Sequence, residues 1–144
     1  MVNLINVSKY TGEVPTTKKA DRKIKGEPLY NLDDIFGILE TKDSTKLVLW
    51  TRKCVKDLQK LGYDSNDAID FLRTYLNSRN YKCSEWCEQK PEGPWAACDV
   101  YFVRHKEKPK HANNEMIMET YIKLAINKLG TVILLISFHP PEDK

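Results

Sequence analysis

The feature that most constrains this fold is a change of hydrophobic periodicity at Asn80. Upstream of it, apolar residues recur at the spacing of amphipathic helices, whereas downstream they alternate with polar residues or form short unbroken runs. Four such segments follow, at residues 81–88, 95–105, 118–127 and 131–139. We expect them to form successive strands of one antiparallel sheet. The last segment is apolar on both faces, which predicts a central position in the sheet.

Helices are predicted before this sheet because residues that cap helix N-termini precede amphipathic segments. Asn31 precedes a helix expected over residues 32–40, and Thr51 precedes one expected over residues 52–61. Ser65 is the predicted cap of a third helix. The residues expected on the buried faces are Leu32, Ile35, Phe36 and Leu39, then Val55, Leu58 and Leu61, then Ala68, Ile69, Leu72, Tyr75 and Leu76.

The order of elements predicts the fold class. Gly62 is suited to end the second helix, since glycine readily adopts the left-handed conformation that helix ends require. Residues 46–50 are short and rich in β-formers, and we interpret them as a short strand. Helices first and strands afterwards indicate an α+β protein, with N-terminal helices packed on one face of a C-terminal antiparallel sheet.

Length and composition favour one globular domain. The chain has 144 residues, of which 41% are hydrophobic, and no apolar run approaches the roughly 18 residues of a membrane span. The start of the chain has no basic segment followed by an apolar one, so no secretory signal is predicted. Four cysteines without a signal indicate reduced thiols in the cytoplasm. The net charge of +3 is too small to indicate nucleic-acid binding by itself.

Residues 1–28 differ in composition from residues 29–144, which we expect to form the folded domain. They combine few large apolar residues with a crowd of cations, namely Lys18, Lys19, Arg22, Lys23 and Lys25. One interpretation is a solvated, mobile extension. The other is a basic arm that contacts phosphates or an acidic partner.

Motifs for bound cofactors and common hydrolase sites are missing. The sequence has no glycine-rich phosphate loop, no Gly-x-Ser-x-Gly and no His-Glu-x-x-His, so no cofactor is predicted. Cys83 and Cys87 have loose metal-ligand spacing, but no second Cys or His pair follows at useful spacing. Free thiols are the simpler interpretation of these cysteines, and we predict no metal.

The candidate functional residues are polar side chains on the predicted strands. In the third strand, Tyr121 and Lys123 lie opposite the aliphatic Ile122 and Leu124. We expect the cations and phenols to share the face that helices do not cover. This set is Lys82, Tyr101, His105, Tyr121, Lys123 and His139, with Arg104 as a further RNA contact.

These residue types suit metal-free cleavage of RNA. The 2′-OH of RNA can attack the adjacent phosphate if a protein withdraws its proton, stabilises the phosphorane and protonates the leaving 5′ oxygen. Lysines supply charge, and His139 can exchange protons because histidine titrates near pH 6.5. Trp86 and Trp95 could stack on bases. The plainer interpretation is that these are solvated strand residues and packing tryptophans.

Five short segments resemble the motility quorum-sensing regulator (MqsR) toxin family over roughly residues 30–139. They are Leu61-Gly62-Tyr63-Asp64, Asn80-Tyr81-Lys82-Cys83, Asp99-Val100-Tyr101, Tyr121-Ile122-Lys123-Leu124 and Leu135-Ile136-Ser137-Phe138-His139. The resemblance implies a RelE-like fold and a type II toxin that cleaves mRNA as a metal-independent endoribonuclease. It also implies a cognate antitoxin, which in this family is typically a zinc-containing, DNA-binding protein.

The resemblance assigns catalytic roles to Lys82, Tyr121 and His139, the last at a position where the family often has lysine. A lysine-to-histidine change moves the titrating group from about pH 10 to about 6.5. A family glutamine is replaced by Cys98, and Gln89 is a candidate substitute. The expected RNA contacts are Lys123, Tyr101, His105, Arg104 and Trp86. Two alternatives stay open, a non-catalytic RNA- or protein-binding module and a toxin-like remnant that binds only its antitoxin.

Overall fold

The computed structural model describes residues 4–15, 22–41, 43–107 and 113–140. Within these ranges it contains three α-helices and six strands. The strands are β1 (Lys23–Ile24), β2 (Leu47–Leu49), β3 (Tyr81–Glu88), β4 (Trp95–Glu107), β5 (Met116–Ile126) and β6 (Ile133–His139), and the helices are α1 (Leu32–Leu39), α2 (Arg52–Leu61) and α3 (Ser65–Tyr75). In this part of the chain, no helix has the length and apolar character needed to cross a membrane.

All six strands form one mixed sheet in the order β1-β3-β4-β5-β6-β2. The four predicted C-terminal strands are confirmed and pair antiparallel in sequence order. The prediction of a purely antiparallel sheet is wrong at one edge, because β2 runs parallel to β6. This pairing leaves β6 between β5 and β2. The last strand therefore has a neighbour on both sides, but it lies next to the edge strand rather than at the predicted centre of the sheet. The fold class is α+β.

Capping side chains begin the helices. The Asn31 side chain accepts the backbone N–H of Asp33 at 2.8 Å, and Thr51 Oγ1 accepts that of Cys54 at 3.0 Å. Gly62 ends α2 in the left-handed conformation, with φ of 72°, as predicted. The cap of α3 is Asp64 rather than Ser65. The Asp64 and Asp67 side chains each accept the other's backbone N–H, which satisfies two N–H groups at once.

The buried faces of α2 and α3 differ in part from those predicted. Leu58 is buried, but Val55 and Leu61 are 37% and 39% exposed, and α2 instead buries Cys54 and Asp57. Asp57 is inside because its carboxylate accepts the backbone N–H of Phe138 in β6 at 3.1 Å. In α3 the four aliphatic residues predicted to be buried are buried, whereas Tyr75 is half-buried.

The helices cover one face of the sheet and leave part of the other open. On the covered face, the fully buried Ile122, Leu124 and Phe138 belong to the main core. Phe71 of α3 contacts Phe138 with a distance of 4.9 Å between ring centroids. We call the opposite side the open face; its pocket-forming residues are Lys82, Cys83, Glu85, Val100, Tyr121, Lys123, Ser137 and His139.

Two β-bulges lie in strands that border the open face. In β3 the pairing steps from Tyr81–Tyr101 to Cys83–Val100, so Lys82 is an extra residue in the ladder. In β6 the pairing steps from Lys123–Ser137 to Leu124–Leu135, which makes Ile136 an extra residue. Bulges bend a strand and redirect its side chains. Lys82 and Cys83 consequently both line the open face.

The described parts of residues 1–28 pack on the sheet, so the expectation of an extension separate from the folded domain is wrong for them. Val7 N donates to Trp95 O at 2.9 Å, and Lys9 N donates to Ile126 O at 2.8 Å. The short strand β1 pairs antiparallel with β3. Lys18 and Lys19 of the predicted basic arm lie outside the described residues.

A buried carboxylate joins the start of the helical region to the sheet. Asp99 in β4 accepts the backbone N–H groups of Leu29 and Tyr30, each at 3.0 Å. It also accepts the hydroxyl of Ser84 at 2.6 Å. Burial raises the pKa of Asp99 above its ordinary value, although the three hydrogen bonds oppose this. The predicted boundary between residues 28 and 29 therefore crosses a hydrogen-bonded segment.

Candidate active site

A pocket of about 450 Å³ lies on the open face, between β3, β5, β6 and the first turn of α2. Its lining includes Lys82, Tyr121 and His139, the three residues predicted to be catalytic. They come from three different strands, and the register of the sheet brings them together. Tyr121 is the direct cross-strand partner of His139, while the bulge in β3 directs Lys82 towards Tyr121.

The three side chains form a short polar row. Lys82 Nζ lies 3.3 Å from the Tyr121 hydroxyl and 4.9 Å from the centroid of its ring. The Tyr121 and His139 rings are 6.0 Å apart between centroids. His139 Nδ1 lies 2.6 Å from Pro140 O. Because a carbonyl oxygen can only accept, Nδ1 carries a proton, and Nε2 is the nitrogen left for exchange with a ligand.

Lys123 provides a fixed positive charge in the floor of the same pocket. Its Nζ forms an ion pair with Glu85 at 3.0 Å. Burial by itself lowers the pKa of Lys123, but the neighbouring Cys87 and Glu85 raise it, and the net shift is upward. Lys123 therefore remains an ammonium ion over the pH range in which histidine titrates.

At Cys98, where the MqsR family has a glutamine, this chain offers no polar side chain to the pocket. Cys98 is fully buried, and its Sγ donates to Ala96 O at 3.4 Å. Burial raises the pKa of the Cys98 thiol, so it stays protonated. Gln89, the candidate substitute, lies in a neighbouring pocket, where its amide nitrogen donates to Trp50 O at 2.8 Å.

Tyr101 and His105 are not on the open face, which corrects their predicted placement. Tyr101 is fully buried on the covered face of β4. The His105 ring lies between two aromatic rings of α3, with centroid distances of 4.8 Å to Phe71 and 4.7 Å to Tyr75. The sequence prediction placed both residues on the uncovered face because their side chains are polar. The aromatic surface of α3 makes them core residues instead.

Arg104 and Trp86 are also away from the pocket. Arg104 is exposed and forms an ion pair with Glu119 at 3.6 Å, on the part of the β4–β5 hairpin beyond the pocket. Trp86 is buried in a small cluster with Trp95, and its ring contacts Tyr10 at 5.9 Å between centroids. Both tryptophans are buried, as the plainer interpretation of packing residues expects, and neither lines this pocket. Trp86 lines a neighbouring pocket instead.

The sequence reasoning missed two charged residues of the pocket, Lys53 and Glu85. Lys53 lies in the first turn of α2, where the helix dipole disfavours a cation. That mismatch is a signal in the sequence, since α1 and α3 have aspartates in their first turns. Glu85 lies two residues after Cys83 in β3, so strand alternation predicts that the two side chains share one face of the sheet.

The side chains of the pocket can bind an anion and exchange protons with it. Three ammonium groups, a phenol and an imidazole can bind a phosphate, neutralise its charge and exchange protons with it. Within the ranges that the structure describes, no three His, Cys, Asp or Glu side chains are grouped so as to hold a metal ion. Cys83 is half-buried, and the thiols of all four cysteines are free.

Comparison with known proteins adds no assignment. No family model matches the chain, and no curated protein and no solved structure matches it significantly. The interpretation of the pocket therefore depends on its own residues.

Proposed function

We propose that this protein is the toxin of a type II toxin–antitoxin system, with a RelE-like fold, and that it cleaves mRNA as a metal-independent endoribonuclease. The observation that carries the proposal is the convergence of Lys82, Tyr121 and His139 in one open pocket, with Lys82 Nζ 3.3 Å from the Tyr121 hydroxyl. The MqsR-like segments of the sequence supply the same three residues.

The proposed reaction is a transesterification within the RNA strand. His139 Nε2 takes the proton of the 2′-OH, whose oxygen attacks the adjacent phosphorus. The bond from phosphorus to the 5′ oxygen breaks, and that oxygen takes a proton from the Tyr121 hydroxyl. Lys82, which donates to Tyr121, replaces this proton. The products are a 2′,3′-cyclic phosphate and a 5′-OH.

The lysines stabilise the extra negative charge of the phosphorane. Lys82 of β3, Lys123 of β5 and Lys53 of α2 all line the pocket that contains Tyr121. Charge-assisted hydrogen bonds are roughly twice as strong as neutral ones, and they strengthen as charge develops on the phosphate oxygens. The Glu85–Lys123 ion pair holds one of these cations in place before substrate binds.

The proposed partners follow from the same assignment. The substrate is mRNA, so the protein acts in the cytoplasm. A cognate antitoxin neutralises it, and the resemblance to the MqsR family suggests a zinc-containing, DNA-binding protein for this role.

One observation favours a second candidate, a non-catalytic module that binds RNA or the antitoxin. Cys98 occupies the position of the family glutamine and is fully buried, so the pocket has no polar side chain from that position. A toxin with such a loss can keep its binding surface without cleavage.

The test is incubation of purified protein with a long RNA in EDTA. We expect the wild type to cut and to leave 2′,3′-cyclic ends, and Lys82→Ala, Tyr121→Phe and His139→Ala each to reduce the rate at least about tenfold. Lys60→Ala is the matched control, since Lys60 is exposed on α2 and outside the pocket.

Four other outcomes would contradict parts of the proposal. Unchanged cutting by all three pocket variants would overturn the site assignment, and loss of cutting in EDTA would overturn the metal-independent mechanism. Salt-dependent RNA binding without cleavage would favour the binding module. Tight binding to the product of a neighbouring gene, without RNA affinity, would favour a toxin remnant.

A further inference from the structure

A second pocket adjoins the candidate active site and extends it into a groove. Its volume is about 400 Å³, within the range of roughly 300–1,000 Å³ typical of ligand sites. The two pockets share Lys53, Glu85, Lys123 and Ser137 in their walls. The open face therefore has one continuous depression, with His139 at one end and Lys90 at the other.

Positive charge is concentrated along this groove. Its lining contains six lysines and arginines but only two glutamates, although the whole chain has a net charge of only +3. The cations are Arg22, Arg52, Lys53, Lys82, Lys90 and Lys123. The two glutamates belong to ion pairs with Arg22 and Lys123.

Two cations of the second pocket are available to a ligand. Neither Arg52 nor Lys90 has an ion-pair partner among the described residues. Arg52 is exposed in the first turn of α2, and Lys90 is exposed just after β3. Two separate elements therefore bring these two cations to the same pocket. An anion between them would neutralise two charges that have no ion-pair partner in the described part of the chain.

We propose that the second pocket binds the nucleotide next to the scissile phosphate, with its own phosphate held by Arg52 and Lys90. The ligand is single-stranded RNA, because separate pockets for successive nucleotides suit an unpaired strand rather than a duplex. The position of the cleaved bond rests on the proposed function, but the binding of the strand to this pocket does not.

The first experiment measures binding without cleavage. A fluorescent 12-nucleotide RNA with 2′-O-methyl groups cannot undergo 2′-OH attack, and its anisotropy gives Kd over a range of salt concentrations. The test variant is Arg52→Ala/Lys90→Ala. The matched control is Lys56→Ala/Lys60→Ala, which removes the same charge from exposed sites of α2 outside both pockets.

The expected effect follows from counterion release. Each phosphate contact with a single strand contributes about 0.7 to the slope of log K against log salt. Losing two contacts lowers the slope by about 1.4. The ratio of the variant's Kd to the wild-type Kd should therefore be about 25-fold larger at 0.1 M salt than at 1 M salt. The control variant should change the slope much less. Equal slopes and affinities in the two variants would overturn the proposal.

A second experiment separates this proposal from the proposed function. The Arg52→Ala/Lys90→Ala variant should lose more kcat/KM on a 12-nucleotide RNA than on a dinucleotide, because a dinucleotide has only the scissile phosphate and no second phosphate for Arg52 and Lys90. If no RNA is cut but the 12-nucleotide analogue binds as expected, the proposed function fails and the second pocket stands.

A competition experiment tests the chemistry of the occupant. An acidic peptide such as polyglutamate should displace the RNA analogue only weakly, because it has no bases for the pocket. If the peptide binds as tightly as the RNA, and the same variant loses both, the occupant is an acidic protein segment and the RNA assignment is overturned. Arg52→Lys/Lys90→Arg should retain most RNA binding, since it keeps both charges.

Discussion

Replacement of Asp99 by alanine should strongly destabilise the protein, because this carboxylate has three hydrogen-bond donors and no contact with solvent. The substitution removes the acceptor of the Leu29 and Tyr30 N–H groups. The Ser84 hydroxyl keeps another partner, since it lies 2.6 Å from the Tyr81 hydroxyl. The loss therefore concerns two backbone donors.

The magnitude follows from these two donors. A buried donor left without a partner costs about 1–3 kcal/mol, which gives about 2–6 kcal/mol for the pair. Burial of the Asp99 carboxylate is itself unfavourable, as its raised pKa indicates, and removing it returns part of this cost. We expect a net decrease of about 3 kcal/mol in the free energy of unfolding. That is a large fraction of the roughly 5–15 kcal/mol of a typical domain.

Urea denaturation followed by tryptophan fluorescence measures this change. Ser84→Ala is the matched control, since it removes one donor to the same carboxylate and leaves both backbone bonds, and it should cost about 1 kcal/mol. A decrease below about 1 kcal/mol for Asp99→Ala, or equal decreases for the two variants, would refute the reasoning. It would show that residues 29–30 are held by other contacts.

Three further predictions concern buried or half-buried groups. The loss of unfolding free energy caused by Asp99→Asn should become smaller as pH rises above about 4. The raised pKa of Asp99 stabilises the wild type fully below the ordinary pKa near 3.8, and this stabilisation is lost as pH rises through the folded-state pKa. Urea titrations of both proteins at several pH values measure the difference. Tyr101→Phe should leave RNA cleavage intact and raise the free energy of unfolding by up to about 1 kcal/mol, since the buried Tyr101 hydroxyl has no hydrogen-bond partner among the described residues; a loss of activity like that of Tyr121→Phe would contradict its core position. Cys83 should be the one thiol that a small alkylating reagent modifies in the native protein, slowly at pH 7 because burial raises its pKa, and a bound oligonucleotide should protect it; Cys83→Ser is the control, and equal labelling of the buried thiols would contradict the structure.

Local features of the fold were predictable because they depend on neighbouring residues. The caps at Asn31 and Thr51 and the left-handed Gly62 are encoded within a few positions of each helix end. Strand alternation separated Tyr121 and Lys123 from the aliphatic residues of β5, and both do line the open pocket.

Long-range features were not predictable from the same patterns. The three residues of β2 do not indicate which strand they pair with, or in which direction. Alternation divides β4 into two faces but cannot say which one a helix covers, and the rings of Phe71 and Tyr75 decide this for His105. Lys53 enters the pocket from a helix, so no strand pattern could include it.

The bulge in β3 has a consequence for changes in chain length. Lys82 is supernumerary in its strand, so a chain shortened by this one residue would regain regular alternation from Tyr81 to Cys83 and keep the pairing of β3 with β4. Inserting one more residue there would instead turn the rest of β3 over and exchange its two faces. The Lys82 ammonium group of the site thus belongs to a residue that β3 does not need for its pairing with β4. Deletion of residue 82 should therefore remove this group from the pocket while the strand still folds.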